Sequence, residues 1–184
     1  MEDLQPVRAA ARSFETERLL LRPYEPGDLA PMAEMFGDRQ VTAHTLLGYR
    51  TPEQTAEVLE GYRAFLAARG YGMLAILDRQ TGGYLGEVGL FVTPMGPLAL
   101  RYALARQAWG RGYATEASVA VIDDAFDGLG LHRLLAGVIA SNAASVKVVA
   151  KLGFAFDSVV SAAGKEFNLY TLGAEAWRER RRGR

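Results

Sequence analysis

The chain predicts an α/β fold, a mixed central sheet of six to seven strands with helices on both faces. Three observations carry this. Apolar runs of strand character alternate with segments of helical spacing along the 184 residues. Two early strands are joined by Arg79-Gln80-Thr81-Gly82-Gly83, a hairpin signal that makes them antiparallel neighbours. The later strands are separated by helices, which act as crossovers.

The elements follow in order. Residues 1–15 read as a flexible leader, and 16–184 as one domain with no internal repeat or dividing linker. Leu19, Leu20 and Leu21 lie in a short strand that Pro23 stops. Residues 28–36 read as a helix with Leu29, Met32, Ala33 and Phe36 on one face. Thr51 caps a longer helix, with Pro52 at its first position and Gln54 completing a capping box. Val58, Tyr62, Phe65 and Leu66 keep helical spacing until Gly70. Residues 71–78, 84–93 and 98–105 are strands, and 110–127 is a helix with Ala114, Ala117, Val121, Ile122 and Ala125 inward. A buried strand over 131–140 leads to a helix capped by Asn142 and ended by Gly153. Strands at 154–160 and 166–172 precede a terminal helical piece holding Trp177.

Composition narrows the function classes. Twenty-one Lys and Arg balance 21 Asp and Glu, so no global field favours nucleic acid or a membrane surface. The arginine-rich run over 178–184 reads as a solvated helix end. The absence of cysteine excludes disulfide and thiolate chemistry. His44 and His132 lie far apart with no carboxylate at ligand spacing, so no metal site is expected. No apolar run approaches the ~18 residues of a membrane span, and no signal-peptide core follows Met1, which points to the cytoplasm.

The stretch that carries chemistry runs from Arg106 to Ala117, where Gly110 and Gly112 open a helix directly after a strand. The first N–H groups of a helix lack partners inside it, and the macrodipole adds roughly half a positive charge. Glycines let an anion approach that backbone closely. A dinucleotide cradle needs a third glycine where Thr115 stands, and no run in the chain matches a P-loop. Trp109 and Tyr113 read as packing residues, and Glu116 as a structural carboxylate in the first helical turn.

Gln107-x-x-Gly110-x-Gly112 is similar to the Q/R-x-x-G-x-G/A signature of the GNAT superfamily of N-acetyltransferases. The resemblance is closest to the ribosomal-protein alanine acetyltransferase-like (RimJ/RimL-type) branch and spans nearly the whole chain. Glu15 to Arg22 resembles that branch's opening strand. Leu131-His132-Arg133-Leu134, Asn142-x-x-Ser145 and Lys151-Leu152-Gly153-Phe154 follow in its order. The resemblance implies acetyl-CoA as co-substrate, lying where the parallel strands 98–105 and 131–140 splay apart. The backbone of Tyr102, Ala103 and Leu104 would pair with the pantetheine arm like an added strand. The pyrophosphate would lie on the N–H groups of Gly110, Arg111, Gly112, Tyr113, Ala114 and Thr115, with Arg111 adding charge. Asn142 would cap its helix and touch the CoA arm.

Acetyl transfer to an amine requires a proton to leave the acceptor, a donor to the oxyanion and an acid for the thiolate. A backbone N–H near Ala103 is the expected oxyanion donor. Many enzymes of the superfamily place a tyrosine seven residues after the capping asparagine, where this chain has Val149. In the resembled branch the serine of Asn-x-x-Ser takes that part, which makes Ser145 the candidate acid. Glu87, the one carboxylate inside the strand over 84–93, is the candidate base. The expected partner is a small-molecule or peptide amine, and residues 37–70 select no acceptor beyond weighing against a polycation. A homodimer is left open. The alternative is a non-catalytic CoA-binding module with a sensing or assembly role.

Overall fold

The computed structural model describes residues 12–45, 48–93, 97–162 and 164–183. Eight strands form one sheet: β1 (Phe14–Glu15), β2 (Leu19–Arg22), β3 (Met73–Asp78), β4 (Tyr84–Val92), β5 (Leu98–Leu104), β6 (Arg133–Val138), β7 (Ala155–Ala162) and β8 (Lys165–Gly173). Their spatial order is β1-β2-β3-β4-β5-β6-β8-β7. Every neighbouring pair is antiparallel except β5 and β6. Helices α1 (Leu29–Gly37), α2 (Arg39–Thr42), α3 (Pro52–Arg69), α4 (Tyr113–Asp123), α5 (Ala143–Leu152) and α6 (Ala174–Arg182) cover the sheet. The mixed α/β architecture is the expected one, with one strand more.

The extra strand falls inside the expected leader. Phe14 pairs with Leu21 and Glu15 with Leu20, while residues 1–11 lie outside the described residues. Two residues are too few to show a period, so nothing local marks them as a strand. The same holds for α2, whose cap, Asp38, accepts a 2.8 Å hydrogen bond from the Gln40 N–H. The helix expected over 110–127 begins at Tyr113 and closes in a π-helical turn, Asp124–Gly128.

Alternation along the strands sends side chains to two cores. Leu19, Leu21, Leu74, Ile76, Val88, Leu98 and Leu100 face α4, α5 and α6, packing on Ala117, Val121, Ile122, Val149 and Trp177. Met73, Ala75 and Leu77 face α1 and α3, packing on Tyr24, Met32, Phe36 and Leu59. The capping box of α3 forms as its sequence predicts: Thr51 Oγ1 accepts from the Gln54 N–H at 3.3 Å, and Gln54 Oε1 from the Thr51 N–H at 3.0 Å.

The arginine-rich end of the C-terminal helix is exposed, as expected, and the helix is also clamped to α4. Trp177 is buried and donates its indole N–H to Asp123 at 2.8 Å. Arg178 pairs with Asp127, and Arg181 with Asp123. Asp123 and Asp127 sit at the C-terminal end of α4, where the dipole disfavours anions, so the arginines of α6 offset a cost of that helix.

Candidate active site

The sheet opens between its two parallel strands. Register joins β5 and β6 at a single pair, Ala99 and Leu135, near the start of each strand. Beyond that pair β5 keeps β4 on one side, with Tyr102 opposite Val88, Ala103 opposite Glu87 and Leu104 opposite Gly86. The Ala105 N–H donates to the Leu85 carbonyl at 2.9 Å, so it points toward β4. The Ala103 carbonyl points the same way: a Cβ on Gly86 would lie 2.2 Å from it, which is why only glycine fits there. A trans peptide directs its N–H opposite to its carbonyl, so the Leu104 N–H and C=O both face the gap. By the two-residue period Tyr102 does the same. Among the expected strand-pairing residues, Tyr102 and Leu104 therefore line the open edge, and Ala103 faces its neighbour in the sheet.

Trp109 departs from its expected packing role. The residue is 44% exposed, and its indole N–H donates to the Leu104 carbonyl at 2.8 Å. The tight turn after β5, Arg106–Ala108, folds the ring back over the edge it has just left. A ligand amide that pairs with this carbonyl meets the indole there, sharing the oxygen with it or displacing it.

The anion cradle forms where its sequence places it. Gly110 and Gly112 have φ of 74° and 81°, the left-handed region. Gly112 is the N-cap of α4 and supplies no side chain, so the helix begins without a side-chain cap. The first N–H groups of α4, on Tyr113, Ala114 and Thr115, thus face outward with the positive end of the dipole behind them. That surface fits a diphosphate. Gln107 and Arg111 are exposed beside it, whereas Tyr113 and Ala114 contribute backbone only because their side chains are buried.

The cradle is held from the turn between β1 and β2. Glu116 accepts from the Thr16 hydroxyl at 2.6 Å, the Arg18 N–H at 2.9 Å and the Arg18 Nε at 2.7 Å. Arg18 also donates to the Arg111 carbonyl at 3.0 Å and lies 4.6 Å over the Tyr113 ring. Burial pushes the Glu116 carboxyl up, but Thr16 and Arg18 together pull it further down, so it rests below its ordinary value. A depressed carboxylate contributes stability above its unfolded pKa and loses it as pH falls through the folded one. Glu116→Gln is accordingly expected to lose about 2 kcal/mol near neutral pH, or roughly 4–8 °C in Tm. In melts run across acidic pH, the gap from the unsubstituted protein should close once Glu116 is protonated.

On the α5 side, Asn142 caps the helix by accepting from the Ser145 N–H at 3.1 Å. Val149 is buried in the core. The Ser145 side chain stands beside a group that sequence reasoning misses, the hydroxyl of Tyr102. That hydroxyl is buried with no hydrogen bond of normal geometry among the described residues. Burial raises the phenol's pKa, and Ser145 lowers it in part. Sequence spacing ties Tyr102 to the cofactor edge through its backbone; only the crossing of β5 with α5 brings its side chain to Ser145.

The opposite face of β5 carries a second buried set. Glu87 is completely buried, with Oε1 paired to Arg101 and Oε2 accepting from the Tyr24 hydroxyl at 3.0 Å. Arg101 also donates to the Tyr62 hydroxyl, and the Tyr24 and Tyr84 hydroxyls lie 2.9 Å apart. Burial, reinforced by the Glu87 charge, pushes the Tyr24 and Tyr84 phenols well above their ordinary values and Tyr62 up to about 12. Both oxygens of Glu87 are engaged within the protein, and Tyr24 links it to Tyr84. Tyr84 reaches a cleft of about 100 Å³ bordered by Glu34, Asp38, Arg106 and Gln107. His44 and His132 are exposed, and no cluster of three metal-ligating side chains occurs among the described residues.

These features have counterparts in known proteins. Residues 18–155 match the model of the acetyltransferase (GNAT) domain. An uncharacterised N-acetyltransferase of Bacillus licheniformis, p20, is 28% identical over 142 residues, covering 76% of this chain and 80% of its own length. The crystal structure of an acetyltransferase from Agrobacterium tumefaciens superposes with a TM-score of 0.78 at 28% identity, covering 91% of this chain and 98% of that one. A ribosomal-protein-S5-alanine acetyltransferase from Vibrio fischeri shares the fold, with a TM-score of 0.74 at 23% identity over 90% of this chain and 98% of that one. With its uncapped glycine cradle beside a splayed pair of parallel strands, the chain belongs to the GNAT family and is an acetyltransferase.

Proposed function

We propose that the protein transfers the acetyl group of acetyl-CoA to a primary amine by direct attack. The observation that carries this reading is the uncapped N-terminus of α4 at the mouth of the β5–β6 gap. Acetyl-CoA, when bound, supplies an acetyl carbon already activated as a thioester. The chain's own groups do the rest. The N–H groups of α4 hold the diphosphate, and the open edge at Tyr102 and Leu104 aligns the arm, which places the thioester deep in the gap. The Leu104 N–H, directed into the gap, meets negative charge as it gathers on the carbonyl oxygen. The neutral amine forms its bond to the acetyl carbon while the carbon–sulfur bond breaks, and the sulfur leaves with the electron pair.

That sulfur needs a proton, and Ser145 with Tyr102 stands on the side of the gap to give one. An ordinary thiol titrates near 8.5 and a phenol near 10, both approximate, so a phenol raised by burial stays protonated at neutral pH and can donate. The amine's own proton passes to water or through Tyr84 and Tyr24 toward Glu87. Removing one of two hydroxyls, in Ser145→Ala, is expected to lower kcat about tenfold, and adding Tyr102→Phe about 100-fold in all. The Kd for acetyl-CoA should stay within about twofold. Thiol release against a panel of primary amines reads kcat, and a double variant with unchanged kcat ends the assignment.

A further inference from the structure

The α1–α3 face of the sheet holds a buried charge with no ion-pair partner among the described residues. Among the described residues, three charged side chains are buried: Asp28, Glu87 and Arg50. Asp28 is paired with Arg22, and Glu87 with Arg101. Arg50 is 6% exposed, and no carboxylate forms an ion pair with it among the described residues. Its Nη1 is buried without a hydrogen-bond partner, and its guanidinium stacks 4.3 Å over the Phe36 ring. Stacking on an aromatic face does not discharge a buried cation, which needs an anion or several acceptors.

Its position joins this charge to the reaction site. Arg50 precedes α3 and acts electrostatically on the Tyr62 phenol, the same group that Arg101 holds by a hydrogen bond. Arg101 follows the Ala99–Leu135 pair by two residues, at the depth where the β5–β6 gap begins, and its side chain points to the α1–α3 face. Helix α4 and its anion cradle pack on the other face. A co-substrate in the gap would therefore present its reactive end to an acceptor on the Arg50 side. Lys165, the first residue of β8, donates to the Thr45 carbonyl at 2.8 Å and ties that strand to the segment after α2. Tyr49, next to Arg50 in the chain, is half exposed, so the segment borders solvent.

Resting on the acetyl-transfer reading, we propose that the acceptor is an amine that also carries a carboxylate, and that Arg50 binds this carboxylate. A carboxylate supplies the counter-charge that Arg50 lacks among the described residues. The planar guanidinium fork suits two carboxylate oxygens. Tyr62, partly buried at the rim of that core, offers an apolar wall to the acceptor's body, as a free amino acid with an apolar side chain would require.

Two arms test this. In the first, thiol release from acetyl-CoA is measured with the free amino acids and with their carboxamides. Acids should exceed amides in kcat/KM by about tenfold or more. Arg50→Gln should bring the ratio near one by raising KM for the acids, and Arg50→Lys should keep part of it. In the second, N-acetyl-L-phenylalanine and its amide are titrated against the protein by calorimetry, with no turnover required. The acid should bind more tightly, lose that advantage in Arg50→Gln, and leave CoA affinity unchanged. The wild-type acid-to-amide comparison decides the matter even if the Arg50 variants fail to fold. Transfer to amines without acid preference overturns this proposal and leaves acetyl transfer intact. Acid-selective binding without transfer to any amine supports the Arg50 site and contradicts the transfer reading. Absence of selectivity in both arms overturns the proposal outright.

Discussion

Gly112→Val is expected to weaken acetyl-CoA binding by about 100-fold or more while leaving the chain folded. The residue has φ of 81°, which a β-branched side chain adopts only with strain. A non-glycine residue held there costs about 1–2 kcal/mol, and the turn is expected to relax by rotating. That rotation turns the N–H groups of Tyr113, Ala114 and Thr115 away from the phosphates. Losing two hydrogen bonds to a charged group, at about 1.5–3 kcal/mol each, accounts for the 100-fold. The fold should survive because a Cβ at Gly112 meets nothing closer than Arg18 Nη2 at 3.6 Å, and the Arg18–Glu116 clamp holds the helix from outside the turn. Calorimetric titration with acetyl-CoA reads the loss. An unchanged Kd would mean that the diphosphate binds elsewhere.

Arg101→Met is expected to destabilise the protein by about 3–5 kcal/mol, the largest stability effect foreseen for a single side chain here. The substitution keeps length and removes charge, which strands the fully buried Glu87 with Tyr24 as its remaining donor. Tyr62 loses its partner as well. At this chain length the effect corresponds to about 6–20 °C in Tm. Adding Glu87→Leu should recover much of it, since a buried ion pair exchanged as a unit for apolar groups is close to neutral. A thermal-melt cycle of the two single variants and the double variant checks this. Equal Tm values for the unsubstituted and Arg101→Met proteins would show that Glu87 is not a buried, paired carboxylate. The neighbouring phenols add a pH effect of known sign. Their folded pKa values are raised, so the stability they contribute is present below the ordinary tyrosine pKa and is lost as pH rises through the folded values, about 12 for Tyr62.

The two sides of the site differ in how far they can be read from sequence. The cofactor side is written locally. Gly110, Gly112 and the first turn of α4 are contiguous, so their spacing conveys an anion cradle, and Asn142 and Ser145 lie one helical turn apart, where the cap is local and the resemblance supplies the rest. The core helices and strands are equally local, because period and caps mark them. The proposed acceptor side is not local. Tyr24, Arg50, Tyr62, Tyr84, Glu87 and Arg101 come from the loop after β2, the approach to α3, α3 itself, β4 and β5. Only the order of strands and the packing of α1 on α3 bring them together. Arg50 in particular looks like any arginine before a helix until its burial is seen. Glu87 shows the converse: its strand position marks it as unusual, yet Arg101 and Tyr24 occupy both of its oxygens. Trp109 reads as packing because a tryptophan beside an apolar helix usually is; the turn geometry instead sets it on an open strand edge.

The central claim, that acetyl-CoA occupies the gap between β5 and β6 with its diphosphate on α4, is tested most directly by a crystal structure with acetyl-CoA bound. The diphosphate should lie on the N–H groups at the start of α4, and the pantetheine amides should pair with Tyr102 and Leu104, meeting the Trp109 indole at the Leu104 carbonyl. The thioester should end beside Ser145 and Tyr102. Acetyl-CoA bound outside the gap, or in it with the α4 N–H groups free, would contradict the account.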